Sequence, residues 1–346
     1  MVHSFAWCDT ALEVLDQRAL PHEEIRERCE DFESVREAIV SMRVRGAPAI
    51  GIVGAYGLAL AAMHASDVDW RRTLEQAIDR MEQARPTAVN LSWAMAGLRG
   101  VIAQATSLDK AQQAILEFAK AIHEDDRKRC DSMAHYGADW IKANSVARPL
   151  RVMTHCNTGA LATGGVGTAI GVIGRLADEG RIEKVIATET RPWLQGARLT
   201  AWELKTLGLP VELIVDSAAA HTMSQGVDWL IVGADRITGQ GDVANKIGTL
   251  QLAVLARHFG VKVMVVAPLS SFDLSMRRGQ SIEIEQRPAT EVTHWNNKAV
   301  AADGVSVSNP VFDVTPHWLV DVIVHEKAVI SGPNWASLGG IQESLL

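Results

Sequence analysis

Two side chains stand out for chemistry because of where the apolar runs before them stop. Cys156 follows residues 150–154 (LRVMT) and opens a glycine-containing loop, and Asp235 follows residues 229–232 (WLIV). A thiol at a strand end near a helix start can ionise early and act as a base or nucleophile. A carboxyl partly buried where a very apolar strand ends is raised toward the range of a working general acid. Each position also has a plain reading: a packed, inert cysteine and an aspartate that caps a helix. His155 reads as a partner for local backbone.

Around this pair the sequence supplies cationic and amide groups suited to an anionic sugar. Residues 43–49 (RVRGAPA) set Arg43 and Arg45 before Gly46, Ala47 and Pro48. A helix beginning there would turn its exposed N–H groups and positive dipole end toward the same point as Arg45. A solvated turn with surface arginines explains the segment equally well. Arg85 precedes a proline in residues 84–92 (ARPTAVNLS), a polar, helix-starting cluster that can hold an arginine toward a ligand. Residues 189–198 (ETRPWLQGAR) bring Arg191, Gln195 and Arg198 to a strand mouth and along the next helix. Gln195 both donates and accepts, as sugar hydroxyls require; helix-surface polarity is the alternative. Residues 241–249 (GDVANKIGT) carry Asn245 and Lys246 to the start of a further helix, a second cationic corner unless Lys246 is a surface charge.

Other chemistries fit less well. Residues 154–168 (THCNTGALATGGVGT) suggest a dinucleotide loop, but the glycines from Gly165 read GxGxxxG and begin eleven residues beyond Thr154, which disfavours a nicotinamide cofactor. No GxSxG elbow occurs, which disfavours a Ser-His-Asp hydrolase. Cys8, Cys29, Cys130 and Cys156 are far apart, with no CxxC pair and no histidine at zinc spacing. Neither a disulfide framework nor structural zinc is indicated, and a reducing, cytoplasmic compartment fits.

For these groups to meet, strands must deliver them to one edge. After Ala147, β-branched runs at 150–154, 184–188, 211–215, 229–233 and 262–267 alternate with helix-length intervals, and 319–325 adds a sixth. That spacing predicts right-handed crossovers and a parallel sheet covered on both faces. Ligands of such sheets bind at the carboxyl ends of the strands, and Cys156, Glu189, Arg191, Asp216, Asp235, Ser270 and Ser271 all follow strand runs. The first 125 or so residues read as short strands and then helices, with helical spacing at 31–42, 70–84 and 108–127.

The chain has 346 residues, 47% hydrophobic and 22% charged, which rules out disorder and leaves room for two domains. A net charge of -7 removes the basic footprint that nucleic acid or an anionic membrane would require. Residues 46–66 carry no formal charge over about a membrane's thickness, but Gly51, Gly54 and Gly57 recur every third residue. A soluble helix packed tightly against its neighbours is the reading adopted. Asp9 and Glu13 argue against a signal peptide.

Taken in order, WCDT from Trp7, LDQRALP from Leu15, RGAPAIG from Arg45, ARPTAVNLSWA from Ala84, THCNTGALAT from Thr154, ETRPWLQGARLTAWEL from Glu189, GADRI from Gly233, GDVANKIGT from Gly241 and NPVFDVTP from Asn309 span nearly the whole chain. Together they resemble the methylthioribose-1-phosphate isomerase family. The resemblance implies an α/β fold: a Rossmann-like parallel-sheet C-terminal domain over 126–346, and a smaller, mainly helical N-terminal α+β domain over 1–125 carrying a small antiparallel sheet. It implies a cytoplasmic homodimer acting on a small sugar phosphate, with no organic cofactor, metal, nucleic acid or membrane. The implied reaction converts 5-methylthioribose 1-phosphate to 5-methylthioribulose 1-phosphate in methionine salvage. Carried over by motif, Cys156 and Asp235 are catalytic, and Arg45, Gly46, Ala47, Arg85, Gln195, Asn245 and Lys246 bind the sugar phosphate.

Two departures stand out: Gln240 occupies a place where Asn commonly precedes Gly-Asp, and residues 325–329 read HEKAV in place of Thr-Glu-Lys-Gly. Neither touches the catalytic pair, so they bear on substrate preference and C-terminal docking. The competing functions are isomerisation of 5-deoxyribose 1-phosphate or ribose 1,5-bisphosphate and, by fold, a non-catalytic regulatory subunit of a translation-initiation nucleotide-exchange factor. A nicotinamide oxidoreductase is a distant third.

Overall fold

The structure is a computed structural model that describes residues 2–334 apart from 86–87 and 296–297, together with Ala336 and Leu338. Pro86 and Thr87 of the arginine-bearing segment 84–92 therefore lie outside the described residues. The chain forms two compact units, Met1–Asp131 with Thr158–Gly171, and Ser132–Asn157 with Val172–Leu346.

Unit one opens with an antiparallel sheet of β1 (Phe5–Cys8), β2 (Ala11–Leu15) and β3 (Arg26–Cys29). Helices α1 (Phe32–Val40), α2 (Ala47–Met63), α3 (Trp70–Glu82), α4 (Val89–Gln104) and α5 (Leu108–Ala143) follow. A capping box starts α1: the Asp31 carboxylate accepts from the Ser34 N–H at 2.8 Å, satisfying one of the donors a helix start leaves over. In α3, Leu74, Ala77, Ile78 and Met81 make the buried stripe that helical periodicity predicts. The uncharged α2 is buried on every side from Ala49 to Leu60, with Leu91 of α4 against Gly54 and Met81 of α3 against Gly57. It is the core helix of its unit. Among the described residues no helix is long and apolar enough to cross a membrane.

Helix α5 runs well past the expected 108–127. Its charged middle keeps it going through pairs at helical spacing, Arg127 with Glu124 at 2.8 Å and Arg129 with Asp125 at 2.5 Å, and no proline interrupts it.

The chain then runs through β4 (Leu150–Thr154), α6 (Ala169–Asp178), β5 (Ile182–Thr188), α7 (Ala201–Thr206), β6 (Val211–Ile214), α8 (Ala219–Ser224) and β7 (Trp229–Val232). Next come β8 (Arg236–Thr238), β9 (Val243–Lys246), α9 (Thr249–Phe259), β10 (Lys262–Val266), β11 (Phe272–Asp273), α10 (Thr290–Thr293), β12 (His294–Trp295), β13 (Lys298–Ala299), β14 (Phe312–Thr315), β15 (Val322–His325) and β16 (Ala328–Ser331). The main sheet has the order β16-β15-β10-β7-β4-β5-β6, parallel throughout except for β16. Its central strand β7 is buried at every residue, as a parallel strand covered on both faces must be.

A second sheet, β11-β8-β9-β14, has no counterpart in the sequence reading. It corrects the expectation for Asn245 and Lys246, which stand on the buried strand β9 and not at a helix start; α9 begins only at Thr249. The cause is a tight turn after β8. The Gly241 N–H donates to the Thr238 carbonyl at 2.9 Å, Gly241 takes a φ of 90° that glycine accepts readily, and the chain folds back as a hairpin.

Candidate active site

Cys156 and Asp235 leave neighbouring strands. β4 and β7 pair in parallel, with Val152 beside Trp229 and Met153 beside Leu230, and each residue follows the carboxyl end of its strand. β5 and β6 lie on one side of this pair and β10 and β15 on the other, so connections run in opposite directions from β4 and β7. At such a switch point the loops part and leave a crevice. The Asp235 N–H donates to the Ala244 carbonyl at 3.0 Å, which sets Asp235 beside Asn245 in the β8–β9 hairpin. Unit two thus contains Cys156, Gln195, Asp235, Asn245 and Lys246.

One expectation about Asp235 fails: the residue is exposed, because β7 ends before it and the hairpin turns it outward. Apolar burial does not act on this carboxyl. The helix-start argument for Cys156 fails as well, since α6 begins only at Ala169.

What distinguishes Cys156 is its backbone. The thiol is buried and free, and φ is 62°, the left-handed region that costs a non-glycine residue roughly 1–3 kcal/mol. Thr190 and Leu194 share this conformation, with φ of 62° and 59°. Such strain persists only where surrounding contacts impose it, and here they do. The Cys156 N–H donates to Thr190 Oγ1 at 2.9 Å, and its carbonyl accepts from the Thr200 hydroxyl. Thr200 ends a π-helical turn, Gly196–Thr200, that lies flat on the end of β5. A Cβ on Gly196 would stand 1.7 Å from the Thr188 carbonyl oxygen, so only glycine permits that approach.

His155 is buried between Thr188 Oγ1 at 2.6 Å from Nδ1 and the Ile247 carbonyl at 2.8 Å from Nε2. Its partners are therefore distant in sequence, not local. A carbonyl only accepts, so Nε2 carries the proton and the Thr188 hydroxyl donates to Nδ1. Burial pushes the imidazole below its ordinary pKa, which keeps it neutral. On the other side of Cys156, the Asn157 amide donates to buried Glu203 at 2.9 Å.

Other polar side chains of unit two near these strand ends have the following partners. The Asp216 carboxylate accepts from the Thr190 and Arg191 N–H groups at 2.8 and 2.7 Å. The Arg191 guanidinium donates to the Pro192 and Glu291 carbonyls and lies 5.5 Å from the Trp295 ring, which makes it part of the scaffold. Gln195 is 5% exposed and its side-chain oxygen is buried with no hydrogen-bond donor among the described residues. A buried acceptor without a partner costs about 1–3 kcal/mol, which a ligand hydroxyl would relieve. Asn245 donates to Thr249 Oγ1 at 3.0 Å, and the buried Lys246 ammonium stands 4.5 Å from the Phe312 ring centre.

Asp313, which sequence reasoning passed over although it lies within NPVFDVTP, faces Asn245 across β9 and β14 and caps α9. Its carboxylate accepts from the Gly248 and Leu250 N–H groups at 2.7 and 3.1 Å. Burial raises its pKa to about 6 in spite of those bonds.

Arg45, Gly46, Ala47 and Arg85 belong to unit one. Helix α2 starts as expected, with Gly46 as N-cap, no capping side chain and Pro48 in its first turn. Gly46 has a φ of 100°, and a Cβ there would lie 2.6 Å from the Ala162 backbone. Arg43 at this corner pairs with Glu27 at 3.2 Å. Arg85 is half-buried after α3. The glycine loop of 158–168 is built into unit one: the Gly164 N–H donates to Asp126 at 2.7 Å, and the Ala162 carbonyl accepts from Ala49 at 3.2 Å. Its glycines allow close packing: a Cβ on Gly165 would lie 2.9 Å from the Arg127 backbone, and one on Gly167 2.4 Å from the Gly159 backbone.

A cavity of about 490 Å³ lies elsewhere in unit two, bordered by Asp242, Arg278, Ile282 and Trp318, and none of the sequence-derived site residues lines it. Among the described residues no group of three or more His, Cys, Asp or Glu is gathered for a metal ion.

Comparison with known proteins adds a whole-chain context. A profile of the Initiation factor 2 subunit family matches residues 43–332. The chain is 51% identical to the methylthioribose-1-phosphate isomerase of Marinobacter nauticus over 329 residues, covering 95% of this chain and 93% of the relative. It is 50% identical to that of Stutzerimonas stutzeri over 340 residues, covering 97% and 94%. Among solved structures, 5-methylthioribose 1-phosphate isomerase from Pyrococcus horikoshii superposes with a TM-score of 0.92 at 40% identity, over 99% of this chain and 96% of that one. The delta subunit of translation initiation factor eIF-2B from A. fulgidus superposes with a TM-score of 0.88 at 38% identity, over 98% and 100%.

Proposed function

The chain belongs to the Initiation factor 2 subunit family and, within it, to the methylthioribose-1-phosphate isomerases, and we propose on that ground that it converts 5-methylthioribose 1-phosphate to 5-methylthioribulose 1-phosphate in methionine salvage. The observation that carries this reading is identity of about half the residues over nearly the full length of both chains. The sheet supports a Rossmann-like assignment of unit two: its parallel strands, numbered in chain order, lie 3-2-1-4-5-6. All four cysteines are free, which agrees with a reducing, cytoplasmic setting, and a homodimer is the assembly we expect of the family.

An aldose 1-phosphate has its anomeric oxygen blocked, so the ring must open with the ester in place. In the mechanism we propose, Asp235 gives a proton to the ring oxygen while Lys246 pairs with the phosphate. Within unit one, Arg45, Arg85 and the N–H groups at Gly46 and Ala47 are proposed as anion-binding groups for a sugar phosphate. Gln195, with its unsatisfied oxygen, and Asn245 take sugar hydroxyls. Ring opening leaves an electron-poor C1. Hydrogen then passes from C2 to C1, as a proton through an enol phosphate with Cys156 as base, or as a hydride shift with Cys156 stabilising the charge, and the C2 hydroxyl releases its proton to restore Asp235 as the C2 carbonyl forms. Deuterium from solvent at C1 of the product marks the first route, and full retention of substrate hydrogen marks the second.

A second reading follows from the likeness to the eIF-2B delta subunit, whose fold leaves catalysis and regulation equally open. The presence of both Cys156 and Asp235 favours the enzyme. The test is turnover of 5-methylthioribose 1-phosphate by the full chain, compared with 5-deoxyribose 1-phosphate and ribose 1,5-bisphosphate. Preference for the methylthio sugar supports the proposal, preference for either other sugar assigns a sister reaction, and no turnover of any of them favours the regulatory module.

A further inference from the structure

Three consecutive residues at the end of β4 are each fixed by a different part of unit two. His155 is bound by Thr188 and Ile247, and Asn157 by Glu203. Between them, both backbone polar groups of Cys156 are taken by threonine hydroxyls. A residue that turns left-handed at a strand end leaves the sheet ladder, so its buried N–H needs another acceptor. Thr190 Oγ1 is that acceptor at 2.9 Å. Its own proton has an outlet in the Thr188 carbonyl at 3.2 Å, which leaves the oxygen free to accept from the cysteine. Thr190 is held in turn, since its N–H and that of Arg191 donate to the two oxygens of Asp216. Without the hydroxyl, the strained Cys156 would relax toward negative φ and swing its Cα–Cβ bond, and the thiol with it, to another side of the strand end.

We infer that Thr190, with Thr200 opposite, is a positioning residue for the isomerisation: its hydroxyl locks Cys156 in the left-handed conformation that presents the thiol to the reacting carbons. This rests on the reading of Cys156 as catalytic. Thr190 does not touch substrate; it acts through the backbone of its neighbour across the sheet edge.

The experiment compares Thr190→Val, which keeps the shape and removes the acceptor, with Thr190→Ser, which keeps the acceptor, in steady-state turnover of 5-methylthioribose 1-phosphate. A misplacement of about 1 Å costs on the order of 100-fold, so Thr190→Val loses about 10- to 100-fold in kcat with KM changed less than about 3-fold, and Thr190→Ser recovers to within a few-fold of wild type. A merely structural role would lower the melting temperature of Thr190→Val and leave the kcat of folded enzyme alone. Unchanged kcat in folded Thr190→Val, or Thr190→Ser as impaired as Thr190→Val, overturns the inference. Should Thr190→Val fail to fold, Thr200→Val against Thr200→Ser carries the same comparison with the same outcomes. Cys156→Ala is run beside them. If it retains activity, the catalytic reading of Cys156 fails; if it is inactive while the valine variants keep wild-type kcat, only the positioning role fails.

Discussion

The Asp235 N–H donates to the Ala244 carbonyl at 3.0 Å, so the residue proposed as the acid is stitched to the strand that carries Asn245 and Lys246. Acid, amide and ammonium thus share one hairpin, closed by the turn at Gly241, and a shift of β8 moves all three together. Asp235 itself is an exposed residue at the start of that hairpin.

Asp235→Asn, nearly isosteric, tests the proposed acid. Removing a positioned acid costs about 100-fold or more in kcat, with KM little changed, while an exposed substitution alters stability by no more than about 0.5 kcal/mol. Steady-state kinetics and thermal melting on the same preparation check both halves. Turnover near wild type removes Asp235 from the mechanism.

Cys156 makes the opposite kind of prediction, in which stability reports the backbone. Glycine adopts a φ of 62° freely and alanine does not, so Cys156→Gly should be more stable than Cys156→Ala by about 1 kcal/mol, although glycine normally loses such comparisons. Both variants lack the thiol, so both should be inactive. Urea unfolding of the pair measures the difference, and an alanine variant of equal or greater stability means that the left-handed conformation does not persist in solution.

The parallel strands of the main sheet were legible because each is a short β-branched run, and β4 at 150–154 was bounded to the residue, whereas the antiparallel edge strand β16 had no counterpart in the sequence reading. The second sheet was not, because β8 and β9 are three and four residues long and Asn-Lys after Val-Ala reads more readily as the approach to a helix. Candidate site residues were picked out by type and position after strands, and the end of the run at 229–233 pointed to Asp235. Its exposure was hidden, since burial of a carboxyl depends on where the following hairpin turns. The roles of Thr190, Thr200 and Asp313 were hidden for a related reason: each acts on a backbone group far away in sequence, and no local spacing encodes that.

Gly46 links the anion corner to the packing of unit one. Any side chain there meets the Ala162 backbone at 2.6 Å and also has to accept a φ of 100°. Strain and overpacking each cost roughly 1–3 kcal/mol, so Gly46→Ala should destabilise the protein by at least about 2 kcal/mol and shift the Arg45 and Ala47 groups beside it. In the fraction that folds, KM for the sugar phosphate should rise more than kcat falls. Unaltered KM in a folded Gly46→Ala variant would remove this corner from phosphate binding.

The buried titrating groups of the chain predict a pH dependence with two opposing signs. Burial depresses the pKa of His155, of His123 and, to about 4, of His325, against an ordinary value of 6.5. As pH falls below 6.5 the unfolded chain takes up protons that the folded protein refuses, so the stability these groups contribute is complete above that pH and is lost on acidification. Asp313 behaves in reverse. Burial raises it to about 6 from 3.8, the folded state protonates first, and its contribution is present below 3.8 and lost as pH rises through 6. Between pH 4 and 6 Asp313 therefore offsets one histidine, at about 1.4 kcal/mol per pH unit for each proton. Melting temperatures followed from pH 7.5 to 4.5 should fall less steeply for His155→Gln than for wild type and more steeply for Asp313→Asn. Parallel curves for all three would mean that neither group carries the shift that burial imposes in this structure.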